Sequence, residues 1–154
     1  MGRFLIRGEP GHDIIPELEP LPTENVIDKP GRSAFQHTEF GLMLKVKGIK
    51  NLVLVGATTD VCVGSTMRDA NDNGFDCLLV EDATAAAGEE LHRMTLESVK
   101  MEGGIFGAVS TTERILGVLG GEKGEGGKEK GYEVQFAPTG GKISLDTGIY
   151  GGRD

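Results

Sequence analysis

Apolar residues in this chain fall into three short runs, with stretches of helical spacing between them. Asn51-Leu52-Val53-Leu54-Val55 is a compact, partly β-branched run that predicts a strand buried on both faces. Behind it, Val63, Met67 and Ala70 recur at the spacing of one helix face. Gly56, Thr58 and Thr59 punctuate the turn between them, and Thr59 or Asp60 is placed to cap the helix. A second buried strand is predicted over 75–82, a helix over 89–101 stopped by Gly103-Gly104, and a last short strand at Ala108-Val109-Ser110. Thr111 or Thr112 then caps a helix over 113–119. Upstream, Thr38 caps a helix over 39–47 that ends at Gly48. Strands alternating with helices point to an α/β fold on a parallel sheet.

The remaining segments read differently. Residues 1–22 are loop-like, broken by Gly8, Pro10, Gly11, Pro16, Pro20 and Pro22, with room for a short strand only at 3–6. Val26-Ile27 is a brief strand candidate stopped by Pro30-Gly31. From Gly120 to Gly131 the chain is a polar, glycine-rich linker that cannot bury a core. Beyond it lie two weak strand-like patches, 133–136 and 142–145. The expected organisation is one domain over residues 1–119, followed by a linker and weakly structured tail over 120–154.

Composition narrows the possible functions. With 154 residues there is enough chain for one real core. A formal net charge of -8, without a basic run, argues against nucleic-acid binding. No apolar stretch approaches the ~20 residues of a membrane span. The amino terminus lacks the pattern of a signal peptide. Two cysteines make no disulfide framework, so a reducing, cytoplasmic setting is the simpler reading. Three scattered histidines offer no metal-ligand spacing, and no metal or organic cofactor is expected.

Cys62 is the residue with the clearest chemistry. It falls in the first helical turn after a strand, at the C-terminal edge of the sheet, where α/β folds place ligands. The positive end of a helix favours thiolate, and free N–H groups there stabilise an oxyanion. The competing reading is a small hydrophobe packing helix onto sheet. Cys77, inside a predicted strand, reads as packing. Asp82 at a strand end offers a catalytic carboxylate or, more simply, one that holds the turn by bonding backbone N–H groups, and His92, among charges, reads as solvated surface.

Two separated motifs carry a family resemblance. Val55-Gly56-Ala57-Thr58-Thr59-Asp60-Val61-Cys62-Val63, followed by Thr66-Met67-Arg68-Asp69-Ala70, Gly74-Phe75 and Asp82-Ala83-Thr84-Ala85, resembles the isochorismatase-like cysteine hydrolases. The branch it is most similar to contains the ureidoacrylate, biuret and N-carbamoylsarcosine amidohydrolases. Lys29-Pro30-Gly31-Arg32-Ser33-Ala34-Phe35 with Thr38 resembles the segment that supplies the family's lysine. The resemblance covers roughly residues 3–119. It implies a three-layer α/β/α, Rossmann-like parallel sheet and hydrolysis of non-peptide C–N bonds through a cysteine thioester. Cys62 would be the nucleophile, and Lys29 would stabilise its thiolate; by itself Lys29 reads as a solvent-exposed turn lysine. The peptide Ala57-Thr58 would be cis and aim N–H groups at the oxyanion, whereas Thr58 alone reads as a helix cap. Phe35 and Phe106 are candidates for pocket lining, or equally for core.

One part of the family pattern has no counterpart. The family's general-base aspartate ends an apolar first strand, and neither Asp13 nor Asp28 ends such a run. The expected domain therefore lacks the usual first strand, as a truncated product, a degenerate homologue or a chain that borrows a strand. Three functions follow: an amidohydrolase acting on a small ureido or carbamoyl substrate; a pseudoenzyme or binding subunit that self-associates or pairs with a full-length homologue; and, weakest, a redox protein using Cys62 and Cys77.

Overall fold

In the computed structural model the described residues are 5–120, with the backbone of two further short strands at 133–135 and 142–144. The core is a parallel sheet of β1 (Asn51–Ala57), β2 (Asp76–Ala85) and β3 (Ala108–Ser110), with β2 central. Four helices belong to it: α1 (Phe40–Val46), α2 (Gly64–Asp72), α3 (Glu89–Gly104) and α4 (Thr112–Leu119). Strand–helix alternation thus yields the Rossmann-type α/β arrangement expected from the sequence. β4 (Glu133–Gln135) and β5 (Lys142–Ser144) form a separate antiparallel ladder at the two patches identified in the tail. The linker at 121–132 lies outside the described residues, as does half of the strand expected at 3–6, and Leu5 and Ile6, the described half, form no strand.

Register explains how the core forms. Leu52 pairs with Cys77 and Leu54 with Leu79, so these side chains share one face of the sheet. Onto that face pack Leu44 from α1, Met67 and Ala70 from α2, and Leu96 and Val99 from α3, with Val63 and Phe75. Met67, Leu79 and Val99 are among the largest side chains sealed from solvent. Truncating a residue of this kind to alanine typically costs about 2–5 kcal/mol. The helix stripe at Val63, Met67 and Ala70 is therefore the buried stripe that the spacing predicts.

β1 departs from expectation. Its pattern is one-sided: Leu52 and Leu54 are half-buried, while Val53 is 53 % and Val55 57 % exposed. The physical reason is position, since among the described residues β1 pairs only with β2 and stands at the sheet edge. Val26-Ile27 also forms no strand and lies in the loop before α1. The regular part of α3 stops where Met101, Glu102 and Gly103 leave helical geometry.

Beyond Leu54 and Leu79 the β1–β2 register shifts, resuming at Gly56 opposite Thr84. Buried Thr84 donates its hydroxyl back to the Val80 carbonyl at 3.0 Å, holding the irregular segment of β2. All three strands run in the same direction, so Ala57, Ala85 and Ser110 end at one edge. The loop before α1 is tied down near that sheet by α2. Ala34 N–H donates to Thr66 Oγ1 at 3.0 Å, and Gln36 Nε2 to Asp69 Oδ2 at 2.8 Å. Bonds from the Ser33 and Gln36 side chains hold the Asp69 carboxyl below its ordinary value.

Candidate active site

β1 delivers the chain to the C-terminal sheet edge and straight into a wide helical turn, Thr59–Val63, that leads into α2. The Thr58 carbonyl accepts N–H groups from both Val61 and Val63, each at 3.1 Å, which closes the turn and fixes Cys62 between them. The Ala57–Thr58 peptide bond is cis. Gly64 follows because space is short: a Cβ there would stand 2.9 Å from the Thr59 carbonyl oxygen. The Cys62 thiol is half-buried and free. Cys62 is therefore held at a helix entrance at the C-terminal edge of the sheet, as the sequence spacing indicates.

Cys77 occupies a different environment. It is 1 % exposed in β2, and burial, reinforced by the charge of neighbouring Asp76, pushes its thiol up to about 11. At pH 8 such a group is only about one-thousandth thiolate. Treatment of the folded protein with iodoacetamide at that pH is expected to label Cys62 at least about 100-fold faster than Cys77, measured by peptide mass mapping. Comparable labelling of both would mean that Cys77 is not sealed in the folded chain.

The other expected site residues are distributed as follows. Lys29 is exposed in the loop before α1, and its ammonium donates to the Gly31 carbonyl at 2.9 Å. No hydrogen bond joins Lys29 to Cys62 among the described residues. Asp28 is paired with Arg7 and lies 3.6 Å from His12 Nε2, and Asp13 is exposed. Phe35 packs edge-on to Phe40 with centroids 5.1 Å apart and leans on Phe75, so its ring joins the core cluster. Phe106 is half-buried beneath the Arg68 guanidinium, 4.5 Å from ring to charge. Asp82 acts at long range: its Oδ1 accepts from the Thr112 N–H at 2.7 Å and the Thr112 hydroxyl at 2.9 Å, fastening the start of α4. Those bonds hold its carboxyl below the ordinary value.

Two features escaped the sequence reading. His92 is not solvated surface but half-buried, with Nδ1 2.9 Å from the hydroxyl of fully buried Thr59. Its spacing from Leu96 and Val99 places all three on the inward stripe of α3, a signal masked by the charges around it. The second is an open groove of about 420 Å³ between α2 and α3, lined by Asp60, Ser65, Arg68, Leu91, Met94, Thr95 and Ser98. Asp60 Oδ1 is buried there without a hydrogen-bond partner among the described residues. Cys62 is not among the lining residues, nor are Phe35 and Phe106. Among the described residues no cluster of side chains is suited to hold a metal ion. None of the described helices is long and apolar enough to cross a membrane.

The fold and the turn define the class as an α/β protein with a Rossmann-type parallel sheet and a free cysteine in the turn after β1. More particularly, residues 1–114 match the family described as the isochorismatase domain, and the chain belongs to that family. The ureidoacrylate amidohydrolase RutB of Acinetobacter baylyi is 39 % identical over 116 residues, covering 75 % of this chain and 46 % of the relative. An isochorismatase-like hydrolase from Alkaliphilus metalliredigens superposes with a TM-score of 0.69 at 37 % identity, covering 74 % of this chain and 60 % of its own. N-carbamoylsarcosine amidase from Thermoplasma acidophilum superposes at 0.63 with 29 % identity, covering 71 % and 61 %. The chain spans about half the length of the curated relatives it matches.

Proposed function

We propose that this chain is an amidohydrolase of the ureido and carbamoyl class, using Cys62 as nucleophile. The observation that carries the reading is the placement of Cys62: half-buried, free, and held in a turn closed by the Thr58 carbonyl at the C-terminal sheet edge. The thiolate attacks the ureido carbonyl, forming a tetrahedral intermediate whose oxyanion is received by the peptide N–H groups of Thr58 and Cys62. Collapse breaks the C–N bond, the departing amine takes a proton from solvent water, and a carbamoyl group remains on sulfur. Water then releases it as carbamate, which decomposes to ammonia and carbon dioxide. Lys29 stabilises the thiolate in this scheme, which requires its ammonium to leave the Gly31 carbonyl. Relatives that act on ureidoacrylate and N-carbamoylsarcosine support this substrate class. The two free thiols fit a reducing, cytoplasmic setting.

The test is ammonia release by the purified chain from ureidoacrylate, biuret and N-carbamoyl amides. Release supports the reading. A folded chain that releases none from any of them overturns it.

A second reading, favoured by the exposed edge of β1, is a binding subunit that pairs with a second copy or a homologue. Val53 and Val55 stand on a strand free of charged residues, unlike edge strands that resist pairing. Light scattering is expected to show an assembly in the native chain and a monomer after Val53→Lys. A monomeric native chain sinks this reading.

A further inference from the structure

We infer that His92 is a positioning residue for the cysteine turn, acting through Thr59. The inference rests on the amidohydrolase reading for its catalytic consequence, but its structural basis is independent of any substrate.

Thr59 opens the turn that carries Cys62, and its side chain is wholly sealed from water. A hydroxyl in such a place needs a partner, because leaving it unpaired forfeits the hydrogen bonds it had with water. Among the described residues the only hydrogen-bond partner of that hydroxyl is His92 Nδ1 at 2.9 Å. The hydroxyl donates when Nδ1 is bare and accepts when Nδ1 carries the proton, so the contact survives either tautomer.

His92 is itself held. It sits in the first turns of α3, where its own N–H donates to the Gly88 carbonyl at 3.1 Å, and α3 packs against the cysteine turn. The bond therefore joins a rigid helix to the residue three positions before the nucleophile. A second tie works alongside it: Arg68 of α2 donates to the Gly64 carbonyl at 3.1 Å, on the far side of the turn, and reaches Ser98 Oγ of α3 at 3.5 Å. The turn is thus fastened to α3 directly at its start and, through Arg68, at its exit. Small displacements of a reacting group are costly, on the order of 100-fold in rate for about 1 Å. Holding Thr59 is what keeps the Thr58 carbonyl and the Cys62 thiol in register with the sheet edge.

The experiment uses the full chain with His92→Ala, His92→Asn and Thr59→Val. The first readout is the rate of Cys62 alkylation by iodoacetamide at fixed pH, which requires no substrate. His92→Ala and Thr59→Val are expected to change that rate threefold or more, with no further change when combined. His92→Asn, whose amide reaches the place of Nδ1, is expected to stay nearer to native than His92→Ala. The second readout is ammonia release, with kcat expected to fall about tenfold and KM to hold within about twofold in His92→Ala. Labelling within threefold of native in either His92→Ala or Thr59→Val, whatever their melting temperatures, overturns the inference. If His92→Ala fails to fold, Thr59→Val, which conserves volume, decides alone. A native chain without ammonia release counts against the amidohydrolase reading, while the labelling rates still decide whether His92 positions the turn.

Discussion

Replacing Cys62 with alanine is expected to abolish ammonia release, by at least about 10⁴-fold, while leaving the melting temperature within a few degrees of native. The two halves of this expectation come from different parts of the structure. Activity is lost because the thiolate is the only protein group in the scheme that forms a bond to the carbonyl carbon, and water enters only after the carbamoyl group is on sulfur. Stability is kept because Cys62 is half-buried and outside the core cluster, so its sulfur contributes little packing. The backbone bonds that close the turn, from Val61 and Val63 N–H to the Thr58 carbonyl, do not involve the side chain. Ammonia release measured beside a thermal melt checks both. Undiminished release from Cys62→Ala would remove the thiol from the mechanism and leave water activated elsewhere as the hydrolytic agent.

What the sequence made legible followed from periodicity and turn chemistry. Val63, Met67 and Ala70 announced the buried face of α2 because a helix on a sheet must repeat at that spacing. Gly56 and the two threonines announced the turn, and so placed Cys62. The residues that misled did so for local reasons. Val53 and Val55 look like core by composition, but edge or centre is decided by pairing with other strands, which a local pattern does not encode. His92 has glutamates and an arginine as sequence neighbours, yet a helix separates adjacent positions by about 100°, so charges beside it in sequence lie on another face. Phe35 looked equally suited to pocket or core; its contacts with Phe40 and Phe75 place it in the core. The role of Asp82 was right in kind, a carboxylate bonding backbone N–H, but its partner, Thr112, lies a whole helix and strand away.

Gly107→Ala is expected to be the most damaging single substitution for the fold, costing more than about 4 kcal/mol. An alanine Cβ at this position would stand 2.1 Å from the Cys77 carbonyl oxygen, 2.9 Å from its carbon and 3.1 Å from Met67 Cε. Gly107 also has φ +130, a conformation that side chains disfavour. Relief by movement is blocked on every side. Cys77 is locked by pairing with Leu52, while Leu78 beside it pairs with Ala108, the residue next to Gly107. Met67 is fully buried in the core. Since domains of this size are stable by only about 5–15 kcal/mol, the variant is expected to be marginal or unfolded at 25 °C. Gly117→Ala is the matched control. Gly117 lies in α4 with open space around its Cβ position, so alanine there is expected to stabilise by about 0.5–1 kcal/mol. Urea unfolding of both variants, read with iodoacetamide labelling of Cys77, checks the argument. Labelling of Cys77 is expected to appear in Gly107→Ala and stay absent in Gly117→Ala, because the close approach at Gly107 is what lets β3 close over the strand that hides that thiol. Native stability in Gly107→Ala would mean that β2 and β3 can separate without cost, and that the sheet is held chiefly by its helices.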